Sequence, residues 1–300
     1  MTPPNSSGDT FDASAVDATP GGAEALRPAR GFFHDSWVIA KRGLTHMKRQ
    51  PEQLSDATIQ PIMFVVMFAY VFGGAIDVPG ANGVVPSAQR YREFLIGGIM
   101  AQTIVFTAFG VALSIANDRK NQAVDRFRSL PIARGAVLSG HAVANVLKSL
   151  LPIVLMSAAG YVIGWRIRGD LFETAGAYLL MIAFAFAMIW VGVLLGSLIA
   201  TPEGVTGIAF ATLFPITFVA STFVPLARMP KALQTVAAWN PVTTLSDALR
   251  ILFGNPNTPI QPGDPWPIAH PVAYTWIWIV LVVAVCAPLA IRAYQRSIAD

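Results

Sequence analysis

The chain has 300 residues, 54% of them hydrophobic and only 13% charged, with a formal net charge of +4. Soluble domains carry about 25% charged residues, so this composition excludes a soluble fold unless its core were unusually large. A lone cysteine, Cys286, excludes an intrachain disulfide, and the scattered His34, His46, His141 and His270 exclude zinc-ligand spacing.

Residues 1–30 are rich in Pro, Gly, Ser, Asp and Ala and begin acidic. They read as a disordered cytoplasmic tail rather than a signal peptide. In 31–50, Phe33, Trp37, Ala40, Leu44 and Met47 recur at helical spacing, with basic residues largely on other faces. That pattern predicts an amphipathic helix at the membrane surface.

Residues 51–300 then carry apolar runs of membrane length, since about 20 apolar residues cross about 30 Å of hydrocarbon. The first covers about 57–76, with Ser55 or Asp56 as its cap and Pro61 in its first turn. The second covers about 92–116. The third, about 138–165, holds Asn145 and Lys148 in its first half. The fourth covers about 174–200 and the fifth about 204–224. Residues 225–254 are too polar to span simply and too apolar for an ordinary loop. A proline-dense tract, 255–267, precedes the sixth run at about 271–291.

Six spans put both termini on one side. Thirteen basic residues fall in the two tails and the second-to-third connection, against seven in the other connections. Positive-inside bias therefore places both termini in the cytoplasm, and it explains the basic balance without nucleic acid.

Between the second and third spans, Ala123, Phe127 and Leu130 form one apolar stripe, with Arg119, Lys120, Arg126 and Arg128 on other sides. Asn117 or Asp118 caps this short helix and Pro131 stops it. Two readings stand: a basic anchor, or a docking helix. After the fourth span Thr201 caps, Pro202 takes the first helical position, and Glu203 sits near the positive end of the helix dipole. Glu203 serves either as part of that cap or as a partner for an external cation.

The stretch FVASTFVPLARMPKALQTVAAWNPVTTLSDALR, 218–250, weighs toward a docking helix over a basic anchor. Pro225, Pro230, Asn240, Pro241, Ala248, Leu249 and Arg250, with the order of the other elements, resemble the ABC transporter type-2 permease family. The likeness is strongest to its daunorubicin-resistance-like bacterial drug and lipid exporters, and it covers roughly 31–295. It implies an all-α integral membrane fold of six transmembrane helices. An N-terminal interfacial helix, a cytoplasmic coupling helix and a re-entrant outer hairpin between spans five and six complete it. Broken backbone in a membrane must be satisfied by protein or by a watery cavity. Two prolines and an Asn-Pro break fit a hairpin packed on the bundle, the alternative being a surface loop.

The resemblance further implies that the helix around 117–131 docks on a separate ATPase subunit. Asp118, Arg119, Arg126, Phe127, Arg128, Leu130, Pro131 and Glu203 would form that interface, with Pro225, Pro230, Asn240, Pro241 and Arg250 in the hairpin. It implies a second permease copy, or a related permease, as partner. ATP and magnesium would bind the ATPase subunit, and an amphipathic drug, lipid or glycolipid would be exported. This chain contains no Gly-Lys dipeptide and hence no phosphate-cradling loop. A gradient-driven carrier is the alternative. It would need an intramembrane carboxylate, whereas Glu93, Glu173 and Glu203 all fall at span ends. Lys148 reads as an interfacial base that snorkels to the cytoplasm.

Overall fold

The computed structural model describes residues 51–72, 76, 78, 87–120, 134–199 and 201–299. The tail 1–30, the segment 31–50 and the side chain of Lys148 lie outside the described residues. Among the described residues every regular element is helical. The long helices are α1, Pro51–Val71; α2, Ser87–Lys120; α3, Arg134–Ile163; α4, Leu171–Leu198; and α5, Pro202–Val219. A 3-10 turn, Leu226–Arg228, leads to α6, Lys231–Ala238, and α7, Pro241–Leu252. The short α8, Trp266–Ala269, precedes α9, Pro271–Ala299.

Four of these, α2, α4, α5 and α9, are long and apolar enough to cross a membrane. In α1 and α3 the described apolar stretches are shorter, Ile62–Val71 and Ser149–Ile163.

Two expected caps are corrected. Ser55 and Asp56 lie within α1, and Pro61 lies well beyond a first turn. Glu52, Gln53, Leu54 and Ala57 are good helix formers, so the helix is already under way before Ser55. Asn117 and Asp118 likewise start no new helix, because α2 runs unbroken through them to Lys120. No Gly or Pro follows Gly110 in that helix, so nothing interrupts its hydrogen-bond ladder.

The most extensive contact is between α2 and α4. Small residues make it possible. Added Cβ atoms at Gly192 and Gly196 would lie 2.5 Å from the Ala108 carbonyl oxygen and 2.7 Å from that of Ala112. Ala108, Ala112 and Ala116 are themselves buried, one per turn on the facing side of α2. Between membrane helices close backbone approach replaces the hydrophobic drive, and such small-residue ladders provide it.

Stacked rings join α5 to its neighbours. Phe210, Phe214 and Phe218 follow one another at centroid distances of 4.9 and 5.8 Å. Phe106 of α2 meets Phe214 edge-on at 5.5 Å. Phe218 continues to Phe223 at 5.3 Å, and Phe223 to Phe68 of α1 at 4.4 Å. Aromatic pairs of this kind contribute about 0.5–1.5 kcal/mol beyond area burial.

Helix directions define two ends. The proximal end holds Lys120, Leu198 and Pro202. The distal end holds the starts of α2, α4 and α9, the 164–170 loop and α7. Residues Val242 through Arg250 of α7 are all buried, packed chiefly against α2 and α9.

Candidate functional site

α5 stops at Val219, and the five residues before the 3-10 turn's cap, Ala220 to Val224, run without helix in an apolar interior. Their polar backbone groups need partners there. Side chains from α7 and α2 supply them. The Ser221 amide donates to Thr243 Oγ1 at 3.1 Å, and Tyr91 Oη donates to the Phe223 carbonyl at 3.2 Å. Arg250 Nη2 donates to the Ser221 carbonyl at 2.7 Å and reaches that of Thr222 at 3.4 Å.

Arg250 is fully buried, and every nitrogen of its guanidinium is used. Nη1 donates to Asp247 Oδ1 at 2.7 Å and to Ser221 Oγ at 3.2 Å. Nε donates to the Phe94 carbonyl of α2 at 2.9 Å. Ser221 Oγ in turn donates to Asp247 Oδ1 at 3.2 Å. One side chain thus ties α7, α2 and the break after α5 together.

Gly97 and Gly98 make room for this. A Cβ at Gly97 would stand 3.0 Å from Arg250 Cγ, and one at Gly98 would run into the Thr222 backbone. A helix-interior glycine costs about 0.5–1 kcal/mol relative to alanine, so two adjacent ones mark a place where something must come close.

The other hairpin residues act locally. Asn240 caps α7, its Oδ1 accepting from the Val242 amide at 2.9 Å. Its Nδ2 donates to the Ile216 carbonyl in the last turn of α5 at 2.7 Å, so one amide satisfies two helix ends. Pro241 occupies the first turn of α7. Pro225 and Pro230 precede the 3-10 turn and α6 in extended geometry and make no side-chain cap. The hairpin residues are therefore strung along 225–250, with Arg250 and Asn240 carrying the tethers.

At the proximal end Arg119 Nη1 donates to the Ser197 carbonyl at 3.1 Å, in the last turn of α4. Lys120 Nζ pairs with Glu203 Oε1 at 2.9 Å, both side chains exposed. Thr201 caps α5 by accepting from the Gly204 amide at 3.1 Å, with Pro202 first in the helix. The end of α2 is thus tied to the α4–α5 turn, and Glu203 has an internal cation as partner. Arg126, Phe127, Arg128, Leu130 and Pro131 lie outside the described residues, as does the side chain of Asp118.

At the distal end Glu93 is fully buried and bound bidentately by Arg168, with Nη2 2.7 Å from Oε1 and Nη1 on Oε2. That hydrogen bond pushes the Arg168 guanidinium up from its ordinary value. The Arg168 and Gly169 amides both donate to the Phe253 carbonyl, at 2.8 and 3.0 Å. Asn255 accepts from Trp165 Nε1 and donates to the Arg166 carbonyl at 2.8 Å. The 164–170 loop is clasped to the end of α7.

The sequence reading missed Asp247, Ser221, the Gly97–Gly98 notch and the Glu93–Arg168 pair. Two signals were present. Asp247 stands one helical turn before Arg250, the spacing at which an ion pair forms on a helix. The Gly-Gly pair interrupts a run of otherwise large apolar residues.

Residues 34–253 match the family model described as ABC-2 type transporter. The chain is 30% identical to a daunorubicin resistance ABC transporter permease protein of Streptomyces coeruleorubidus, over 94% of this chain and 99% of that protein. It is 27% identical to a probable doxorubicin resistance ABC transporter permease protein of Mycobacterium tuberculosis (strain ATCC 25618 / H37Rv), over 90% and 91% of the two. A putative transport permease of Cyanophora paradoxa is 22% identical over 75% of this chain and 76% of its own.

Proposed function

Because the chain belongs to the ABC-2 type transporter family, we propose that it is the membrane permease subunit of an ATP-driven exporter of amphipathic drugs, lipids or glycolipids. Family membership along nearly the whole chain carries this reading. The chain itself has no phosphate-cradling motif, so ATP and magnesium bind a separate ATPase subunit. It crosses the cell membrane six times, α1 and α3 being the two spans with shorter described apolar stretches, and both termini are cytoplasmic.

The segment around 117–131 docks on the ATPase, with Phe127 and Leu130 in an apolar groove and Arg126 and Arg128 orienting the contact. Closure of the ATPase pushes on this segment. The push reaches α4 and α5 through Arg119 and the Lys120–Glu203 pair, which join α2 to the α4–α5 turn. Residues 220–252 form the re-entrant outer hairpin, and the satisfied break after α5 supports that placement. The described parts of α5 and α9 bury little of their apolar surface within the chain. A second permease copy covers part of it, and the path for substrate lies between the two.

The test is a pull-down from native membranes in mild detergent, with the intact chain and with Phe127→Asp combined with Arg128→Glu. An ATPase subunit recovered with the first and lost with the second is the expected result. Equal recovery with both moves the docking contact elsewhere. No ATPase with either, from well-folded protein, overturns the reading and favours a gradient-driven carrier.

A further inference from the structure

The distal end carries arginines that neither the hairpin nor the proximal ties use. Arg92 and Arg166 converge on the end of α3. Arg92 Nη1 donates to the Ile163 carbonyl at 3.0 Å, and Arg166 Nη1 donates to those of Tyr161 and Trp165 at 2.8 and 2.7 Å. Cations at a helix C-terminus satisfy its orphan carbonyls and suit its dipole. That role occupies one nitrogen of each guanidinium, which presents five N–H groups in a fork. Arg92 Nε is buried and has no hydrogen-bond partner among the described residues.

Among the described residues, the carboxylates of this corner are committed elsewhere. Both oxygens of Glu93 are held by Arg168, and Gln89 Nε2 adds a third bond at 3.2 Å. Asp170 and Glu173 close a capping box at the start of α4, each accepting from the other's backbone amide. Among the described residues, Arg92 and Arg166 are therefore two cations at the same helix end that bond to neutral carbonyls. Each lies over a tyrosine, Arg92 5.9 Å from the Tyr70 ring and Arg166 5.3 Å from the Tyr161 ring.

Apolar surface adjoins this charge. Tyr70 is 68% exposed, Val71 64% and Val162 88%, on α1 and α3, which pack against each other. A guanidinium fork matches phosphate oxygens, and exposed apolar side chains beside it match acyl chains. A free oxyanion would use the first feature and leave the second without purpose.

We infer that Arg92 and Arg166 bind the phosphate of an anionic phospholipid whose acyl chains lie along Tyr70, Val71 and Val162. Such a lipid offsets one of the two positive charges and ties α1 to the end of α3. This site is independent of the export reading, since it needs a bilayer and no partner subunit.

The experiment uses the purified full chain, stripped of lipid in detergent, with thermal unfolding followed as lipid is returned. Phosphatidylglycerol raises the midpoint, and phosphatidylcholine and inorganic phosphate do not. Arg92→Gln with Arg166→Gln abolishes the phosphatidylglycerol response, whereas Arg292→Gln, near the other end, keeps it. Arg166 is exposed, so Arg166→Gln alone folds, and the lipid then binds about tenfold more weakly, as for one lost charge-assisted bond. This single variant decides the matter if the double one does not fold. An undiminished response in Arg166→Gln or the double variant, or an equal response to phosphatidylcholine, overturns the site. An equal response to inorganic phosphate overturns the lipid and leaves a free-anion site.

Discussion

Arg250 of α7 lies over the ring of Phe94 of α2, its guanidinium carbon 3.5 Å from the ring centroid and its Nε 2.9 Å from the Phe94 carbonyl oxygen. The same guanidinium binds Asp247 and the backbone after α5. A buried charge without its partner is strongly destabilising, by about 3–5 kcal/mol. Arg250→Met strands Asp247 and is expected to lower the stability by that order. Arg250→Lys does not restore it, because an ammonium cannot reach three carbonyls and a carboxylate in one plane. Arg250→Met with Asp247→Leu is more stable than Arg250→Met alone. Thermal unfolding in detergent checks the order of the three, and a double variant no better than the single would argue against a stranded carboxylate.

Gly98→Ala is expected to abolish the folded protein, because its Cβ meets the Thr222 backbone rather than a flexible side chain. Gly207→Ala, with nothing among the described residues within 4 Å of its Cβ, is expected to be neutral or to stabilise by about 0.5–1 kcal/mol. Size-exclusion profiles of the two variants make the comparison.

Glu93 and Arg168 form a pair of unequal burial. The carboxylate is fully buried, whereas the Arg168 side chain is 39% exposed. Arg168→Gln leaves a buried negative charge and should cost about 3–5 kcal/mol. Glu93→Gln leaves an arginine that reaches water and should cost only about 1–3 kcal/mol. Equal losses in unfolding measurements would contradict this asymmetry.

Lys120 and Glu203 are both exposed, and exposed pairs add little stability. Reversing either charge should leave the unfolding midpoint unchanged. If the pair passes motion from α2 to α5, Lys120→Glu or Glu203→Lys lowers ATP-driven transport and the double reversal recovers it. Transport assayed in vesicles with the ATPase subunit shows whether the swap rescues. Failure of the swap, with each single variant impaired, would point to an external partner for Glu203.

Sequence signals that act over a few residues were legible. Thr201 and Pro202 start α5, and Asn240 and Pro241 start α7, where local chemistry placed them. The apolar runs predicted helices whose ends shifted by a few residues. Local signals failed where a longer element overrode them. Asn117 and Asp118 look like caps, yet α2 continues through them because nothing in its backbone forces a stop. Pairings across the chain were not legible. Glu93 stands at the end of an apolar run, and its arginine is 75 residues away. The Gly97–Gly98 pair announces a close approach without naming what approaches.

The notch at Gly97–Gly98 also sets an order of events. Its occupants, Thr222 and Arg250, are made long after the helix that holds it, and Arg250 follows Phe94 by 156 residues. Until they emerge from the ribosome, the distal part of α2 is a helix weakened by adjacent glycines, with an unfilled groove. Arg168, the cation for Glu93, is made well before the residues that fill the groove. The distal half of the bundle is thus completed late, when the last turn of α7 closes over a helix inserted much earlier. A chain halted before residue 250 holds its spans in the bilayer without the residue that locks them.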